Sequence, residues 1–417
     1  KRNLNTMSSV EPMDSDELWD RTWRFMKGVY YVEDVEKKLV EMDSIGPTVE
    51  AAQVWACKLD TAKRENAMTK DYAIETLDAV MQDSNLMLKA KRKPNMGPSY
   101  DDMVKANQSV QYDQSRTRTG VFSPIFACKV MRDQSLLRDN VFIMQSKSPD
   151  DLNEFLSKFS WRTNTKGPLS YIMLDAEMFD KSQVFTTLMM HWKKCEVLGV
   201  LPRYVDLLKS NTAQRTASSV MAGVKVYLTP QRGSGDSDTL DGNCDISQAA
   251  YARFFHKIHH LIEFILIMGD DVTVAVRGDV DSQDVESDCM KEFNLSVKLT
   301  KSSFGDFVSG WLIHMPDGSI CWKTDALKRA VALGEQSVSE QTNFVEKWQG
   351  YSDLCKGLSG YATQEYMASA IAHKYTKEFG HVVSHETALE VIKAVVTVAS
   401  DFNIFRRFYE SETTRRY

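Results

Sequence analysis

Residues 261–276 read LIEFILIMGDDVTVAV. An apolar run broken only by Glu263 meets Gly269-Asp270-Asp271, and a second apolar run, Val272–Val276, follows. Two such runs about a tight polar turn predict a β-hairpin with acids at its tip. Upstream, Tyr171–Leu174 is a short apolar run that ends at Asp175, and Asp180 follows five residues later. Residues five apart on one strand face opposite ways. The two carboxylates therefore converge only if the strand ends near Asp175 and the chain turns before Asp180. If the hairpin tip packs beside that strand end, Asp175, Asp270 and Asp271 form a cluster that needs cations to neutralise it. Magnesium, which prefers carboxylate and phosphate oxygens, suits such a site. Between these segments, residues 230–244 read PQRGSGDSDTLDGNC. Gly233, Gly235 and Gly242 give a flexible loop, and Ser234, Thr239 and Asn243 add small hydrogen-bonding groups. The loop lacks the Gly-Lys-Ser or Gly-Lys-Thr of a Walker phosphate loop.

The flanking sequence has a different rhythm. Residues 1–90 read as helical, with Trp19, Trp23, Met26 and Tyr30, then Val35, Leu39 and Met42, at helical spacing. Lys89–Lys93 with Pro94, Gly97 and Pro98 reads as a basic loop. Residues 101–125 are polar and carry Lys105, Arg116 and Arg118. Ser148-Pro149-Asp150-Asp151 predicts a helix start, with Leu152, Phe155, Leu156 and Phe159 as the apolar face. Residues 188–198 are helical. Phe307–His314, the turn Pro316–Ser319 and Ile320–Trp322 predict a second hairpin. From Asp325 the pattern is helical, and Ser384 starts a helix carrying Ala388, Val391, Ile392, Val395 and Val398. Helical, then mixed, then helical segments predict an α+β fold.

Composition narrows the function classes. The 417 residues, 43% hydrophobic and 26% charged, give two to three globular domains at about 150 residues each. The net charge of −6 still allows a local basic groove for nucleic acid. The seven cysteines form no Cys-x-x-Cys, which argues against a disulfide framework or structural zinc. None shows an evident histidine partner, so a nucleophilic cysteine is not expected. His256, His259 and His260 have metal-like spacing but no acidic or cysteine partner, and a packed helix is the simpler reading. The longest apolar stretch is too short for a membrane span. The start carries no signal-peptide pattern, and a first residue of Lys1 leads us to expect a piece of a longer product.

Taken in order, the three acidic and glycine-rich segments resemble the catalytic motifs of viral RNA-dependent RNA polymerases. Asp175-x4-Asp180 looks like motif A, Ser234-Gly235-x3-Thr239-x3-Asn243 like motif B and Gly269-Asp270-Asp271 like motif C. The wording is similar to the alphavirus-like superfamily, in particular its tobamovirus-type (virga-like) members. Phe179-Asp180-Lys181-Ser182-Gln183 and Gln231-Arg232-x-Ser234-Gly235-Asp236 carry that likeness. Phe293–Lys298 resembles motif D, and Phe307–Gly310 with Ile313-His314 resembles motif E. Glu177, Asp238, Asp241 and Gly233 depart from the pattern.

The resemblance implies a right-hand fold, with an antiparallel palm sheet flanked by helices. Fingers would span 1–168, palm 169–320 and thumb 321–417, with part of 184–228 returning toward the fingers. It implies two Mg2+ (or Mn2+) ions held by Asp175, Asp270 and Asp271. Asp180 and Asn243, helped by Ser234 or Thr239 beside Gly235, would recognise the ribose 2′-hydroxyl. Lys298 would protonate the departing pyrophosphate, with Lys301 as a rival. Arg116 and Arg118 would clamp the triphosphate as motif F, with Lys105, Lys129 and Arg132 as weaker candidates. Lys89–Lys93 and Arg406, Arg407, Arg415 and Arg416 could line an RNA channel. The implied activity is RNA synthesis from nucleoside triphosphates on an RNA template. Implied partners are template and product RNA and the methyltransferase and helicase regions of one replicase, in membrane-associated complexes of the host cytoplasm. Two alternatives stay open: a terminal nucleotidyltransferase and a catalytically silent RNA-binding scaffold.

Overall fold

The computed structural model describes residues 15–47, 83–91, 107–114, 116–213, 215–219, 223–228, 230, 232–233, 235–335, 343–380 and 382–415. Helix α1 (Ser15–Tyr30) buries Trp19, Met26 and Tyr30, the stripe read from the sequence, and α2 (Val35–Glu41) follows. The helical reading fails at its far end, where Asp83–Lys91 form strand β1. Lys89 and Lys91 therefore lie on a strand and not in a loop. The cause is tertiary: β1 pairs in parallel with β5 (Arg215–Ser219). The polar stretch after it is strand β2 (Asn107–Gln114) and helix α3 (Arg116–Ser135).

Strand β3 (Val141–Ile143) leads to helix α4 (Pro149–Leu156). As expected, Ser148 caps α4: its Oγ accepts from the Asp151 N–H at 3.1 Å, and the Asp151 carboxylate accepts from the Ser148 N–H at 2.7 Å. Strand β4 (Leu169–Ala176), the single turn α5 (Phe179–Ser182), α6 (Phe185–Val197) and α7 (Pro202–Ala213) precede β5. Strand β6 (Val224–Leu228) closes a sheet of order β2-β1-β5-β6. Helix α8 (Thr239–Ile258) then leads into β7 (Ile262–Met268) and β8 (Asp271–Arg277), the hairpin read from the sequence. After α9 (Val285–Phe293), β9 (Val297–Ser302) completes a second sheet of order β3-β7-β8-β4-β9. This sheet is mixed, because β7 and β8 are antiparallel while β3 joins β7 in parallel. Helix α8 packs on β7, α1 and α6, and its Ile246, Tyr251 and Phe255 are fully buried.

The remaining elements are β10 (Gly305–Phe307), β11 (Gly310–His314), β12 (Ile320–Thr324) and helices α10 (Ala326–Glu335), α11 (Phe344–Leu354), α12 (Tyr361–Phe379), α13 (His385–Ser400) and α14 (Phe402–Arg415). The expected strand 307–314 is broken by a two-residue turn, with Val308 at φ 49° and Ser309 at φ 58°. Gly310, at the start of β11, lets the Trp322 indole lie against its backbone. Described residues within 1–89, 109–147 and 172–301 form one compact unit, and those within 90–108, 148–171 and 302–417 form a second. Among the described residues, no helix is long and apolar enough to cross a membrane.

An ion cluster is buried beside α8. Lys129 of α3 donates to both oxygens of Asp241 at 2.9 Å and to Asp245 at 2.5 Å. Lys194 of α6 lies 2.8 Å from the other Asp245 oxygen, 2.7 Å from Asp133 and against Gln248. His191 Nδ1 is 2.7 Å from Asp245, and Nε2 is 3.5 Å from Asp238. Tyr31 donates to Asp133 at 2.7 Å. Burial works against the charged forms of both lysines, but the carboxylates outweigh it and hold their pKa values above the ordinary range. Burial likewise pushes Asp245 up, and Lys129 and Lys194 more than reverse this, leaving it well below the usual carboxylate range. His191 is depressed by burial, yet Cys195 and the bonds to Asp238 and Asp245 carry its pKa well above 6.5.

Replacing Lys129 with Met takes the paired cation from buried Asp241 and one of two lysines from Asp245, and should cost about 3–5 kcal/mol in urea unfolding; a loss under about 1 kcal/mol would contradict the cluster. His191's folded pKa is raised, so its stabilisation is complete below about pH 6.5 and is lost as pH rises through the folded value. The unfolding midpoint should therefore fall on the alkaline side, and His191→Gln should flatten that fall. At Gly310, a Cβ would sit 2.3–2.5 Å from the Trp322 ring. Gly310→Ala should cost about 1–3 kcal/mol, whereas Gly350→Ala, with open space in α11, should gain up to about 1 kcal/mol.

Candidate active site

Three segments of the first unit build the site. Strand β4 ends one residue beyond Asp175, whose side chain is exposed. Met178 then takes a left-handed backbone, φ 50° and ψ 44°, which reverses the chain into α5. That conformation is uncommon for a residue with a side chain. Asp180, half-buried, follows in that short turn.

The second segment is the loop before α8. Its turn is held by the Gly233 N–H donating to Asp236 at 3.1 Å and by Thr239 Oγ1 donating to the Gly233 carbonyl at 2.7 Å. Gly235 has φ 100° and is exposed. Ser234 and Lys105 lie outside the described residues. Within α8, Asn243 Nδ2 donates to Asp180 Oδ1 at 2.8 Å. The two residues expected to read a sugar hydroxyl are thus in direct contact.

The third segment is the β7–β8 turn, where Met268 and Asp271 are paired and Gly269-Asp270 forms the loop. Gly269 has φ 65°, as a two-residue hairpin favours. A Cβ there would lie 3.3 Å from Leu240 and 3.7 Å from Asn243. The Gly269 carbonyl accepts from Ser247 Oγ at 2.7 Å, and its N–H donates to Cys244 Sγ at 3.1 Å. Both clamps come from α8, so the hairpin tip is locked to the helix that carries Asn243. Strands β8 and β4 are neighbours in the sheet. The Tyr251 phenol is pushed well above its usual pKa by burial, then by Cys289, and also by the charges of Asp270 and Asp175. Asp175 and Asp270 thus act on one buried phenol. Asp270 is exposed and Asp271 half-buried. The donor set is hard carboxylate oxygen open to solvent, which fits Mg2+ or Mn2+.

The other candidates separate. Lys298 is exposed on β9, and among the described residues no carboxylate pairs with it. Its rival Lys301 lies 3.0 Å from Asp279. Arg116 and Arg118 fall in the first turn of α3. Lys129 and Arg132 are corrected: neither is a triphosphate ligand here. Lys129 is fully buried among carboxylates, and Arg132 donates to the Leu198 and Asp43 carbonyls at 2.6 Å each. The three histidines belong to the end of α8 and the turn after it, with His256 packed on Phe25. Cys195 does have a histidine neighbour, contrary to the sequence reading, with His191 nitrogens 3.8–3.9 Å from its sulfur. His191, Cys195 and Asp245 are spaced for a metal ion. Two lysine ammonium groups already occupy the Asp245 carboxylate, so the trio fits the ion cluster and not a cation.

Sequence reading quoted Gln183 and Arg232 but gave them no role. Both are buried. Arg232 Nε donates to Gln183 Oε1 at 3.0 Å and its Nη1 pairs with Asp238. Gln183 Nε2 donates to Asn243 Oδ1 at 2.7 Å.

A family model described as RNA dependent RNA polymerase matches residues 1–406. Among curated relatives, the replicase large subunit of Odontoglossum ringspot virus (isolate Korean Cy) is 24% identical over 100% of this chain and 24% of its own length. That of Youcai mosaic virus is 22% identical over 98% of this chain and 24% of its own. That of Tomato mosaic virus (strain L) is 25% identical over 81% of this chain and 20% of its own. The chain spans about a quarter of the length of the first two of these relatives. Among solved structures, an insertion-loop deletion mutant of the RNA-dependent RNA polymerase of a human picorbirnavirus aligns with a TM-score of 0.53 at 10% identity. It covers 95% of this chain and 94% of that one, and supports the polymerase fold. With the family model matched over nearly its whole length, the chain belongs to the RNA-dependent RNA polymerase family.

Proposed function

We propose that this chain extends RNA on an RNA template by joining nucleoside triphosphates, in viral genome replication and transcription. The observation that carries the proposal is the Asp180–Asn243 hydrogen bond beside a Gly-Asp-Asp hairpin clamped to the same helix. In this reading the RNA 3′-hydroxyl attacks the nucleotide α-phosphate and pyrophosphate leaves. Asp175, Asp270 and Asp271 would hold two Mg2+ (or Mn2+) ions. Bound there, the ions supply a lowered pKa for the attacking hydroxyl and charge neutralisation for the pyrophosphate.

The chain's own residues do the rest. The Asn243 amide donates to the ribose 2′-hydroxyl while the Asp180 carboxylate accepts from it, so a sugar lacking that group leaves two polar partners unmet. Lys298 gives its proton to pyrophosphate. Arg116 and Arg118 hold the triphosphate, and the Ser234–Thr239 loop, with Gly235, supports the sugar. The division into fingers 1–168, palm 169–320 (part of 184–228 returning to the fingers) and thumb 321–417 goes with this reading. So do action with methyltransferase and helicase regions of a longer replicase and a place in membrane-associated complexes of the host cytoplasm.

Three variants test the chemistry with the purified chain, a primed RNA template and Mg2+ or Mn2+. Asp270→Asn should lower nucleotide incorporation by about 10²-fold or more, the scale of losing one preorganised electrostatic group. RNA binding should persist. Lys298→Met should slow incorporation by about 10²-fold, within the usual range for a general acid, and Lys301→Met should change it little. Equal effects of the two lysine changes would remove Lys298 from its role.

A further inference from the structure

We propose that Gln183 and Arg232 are positioning residues for ribose selectivity, acting by fixing which way the Asn243 carboxamide faces. The inference rests on the reading of Asp180 and Asn243 as the sugar site. It adds two residues that never reach the nucleotide in this arrangement.

The argument is one of donor polarity. A carboxamide has one accepting end and one donating end, and it can flip. Arg232 can only donate. Its Nε–H therefore requires the Gln183 oxygen, 3.0 Å away, to face it. The Gln183 amino group then faces Asn243 Oδ1 at 2.7 Å. That leaves the Asn243 amino group to face the Asp180 carboxylate at 2.8 Å. A flip at either amide would set donor against donor at the arginine or oxygen against oxygen at the aspartate. The relay thus runs from a cation to an anion and has one permitted direction. Gln183 is fully buried, and Asn243 and Arg232 are 7% and 4% exposed, so water has little room to substitute.

Arg232 is itself held in place. It pairs with Asp238, and the guanidinium lies so close to Gly242 that a Cβ there would fall 2.2–2.6 Å from its atoms. Asp238 and Gly242 sit at the start of α8, one on each side of the residues leading to Asn243. The relay therefore makes the amide direction a property of the folded helix start. The Asn243 N–H not used by Asp180 then points the amide's donor end at an incoming 2′-hydroxyl.

The experiment compares single-nucleotide incorporation of ATP and 2′-deoxy-ATP by the full 417-residue chain on a primed RNA, with equilibrium affinities for both nucleotides read alongside. The variants are Asn243→Ala, Gln183→Met, Gln183→Glu and the double variant Gln183→Met/Asn243→Ala. Gln183→Glu keeps an acceptor for Arg232 but cannot donate to Asn243 as a carboxylate, so it separates direction from packing. Expected is a drop of about tenfold or more in the ATP to 2′-deoxy-ATP preference for both Gln183 variants. The loss should fall on ATP, and the double variant should be no less selective than Asn243→Ala alone. A purely structural role would lower both nucleotides equally and leave the ratio unmoved. If Asn243→Ala lowers the ratio while both Gln183 variants keep it, the relay is wrong and the sugar site stands. If Asn243→Ala itself leaves the ratio unchanged, the sugar site is wrong and the relay falls with it. Should Gln183→Met fail to fold, Gln183→Glu decides alone.

Discussion

The buried ion cluster beside α8 is the constraint on which the site depends. Asp238, Asp241 and Asp245 recur at spacings of three and four, so they share one stripe of the helix start. That stripe faces Lys129 on α3 and His191 and Lys194 on α6. Asn243 and Ser247, four apart, lie on a different face and meet Asp180 and Gly269. Rotating α8 to relax one face would break the other. Charges buried this deeply are expensive to desolvate, and well-packed apolar groups can match their stability. What such groups do not supply is a directional reason for one rotation of the helix over another. On this account the cluster sets the orientation of α8, and the orientation sets the site.

The same geometry explains departures from the family pattern noted in the sequence. In the sequence, Asp238 and Asp241 look like surplus acids in the segment that resembles motif B. In the structure both are buried and paired, Asp238 with Arg232 and Asp241 with Lys129. Their charge is spent inside the protein. Glu177 remains exposed, with its N–H bonded to the Ser296 carbonyl of the chain leading into β9. Asp175 lies at the end of its strand, and Asp270 and Asp271 at the hairpin tip.

Much of this was legible in the sequence. The β7–β8 hairpin was plain because two apolar runs met a glycine turn. The five-residue spacing made a turn after Asp175 a condition for convergence, and nothing in the sequence marked Met178 as the left-handed residue of that turn. The cap at Ser148 followed from local chemistry alone. Long-range pairing was not legible. Strand β1 read as helix because its partner, β5, lies more than a hundred residues away. Lys129 read as a weaker candidate for the triphosphate clamp because its carboxylates also lie over a hundred residues on. His191 and Cys195, four apart on α6, could have been paired from helical spacing, but their shared partner Asp245 could not. Gln183 and Arg232 were quoted only as parts of motifs, since a relay of amides has no signature until its members touch.

The central claim is template-directed synthesis, and sequencing of the product tests it most directly. The chain would be given two primed RNA templates of unrelated sequence, all four nucleoside triphosphates and Mg2+ or Mn2+. The account predicts products complementary to each template along its copied length. Extensions that are the same on both templates, whatever the template sequence, would contradict it and identify a terminal nucleotidyltransferase instead.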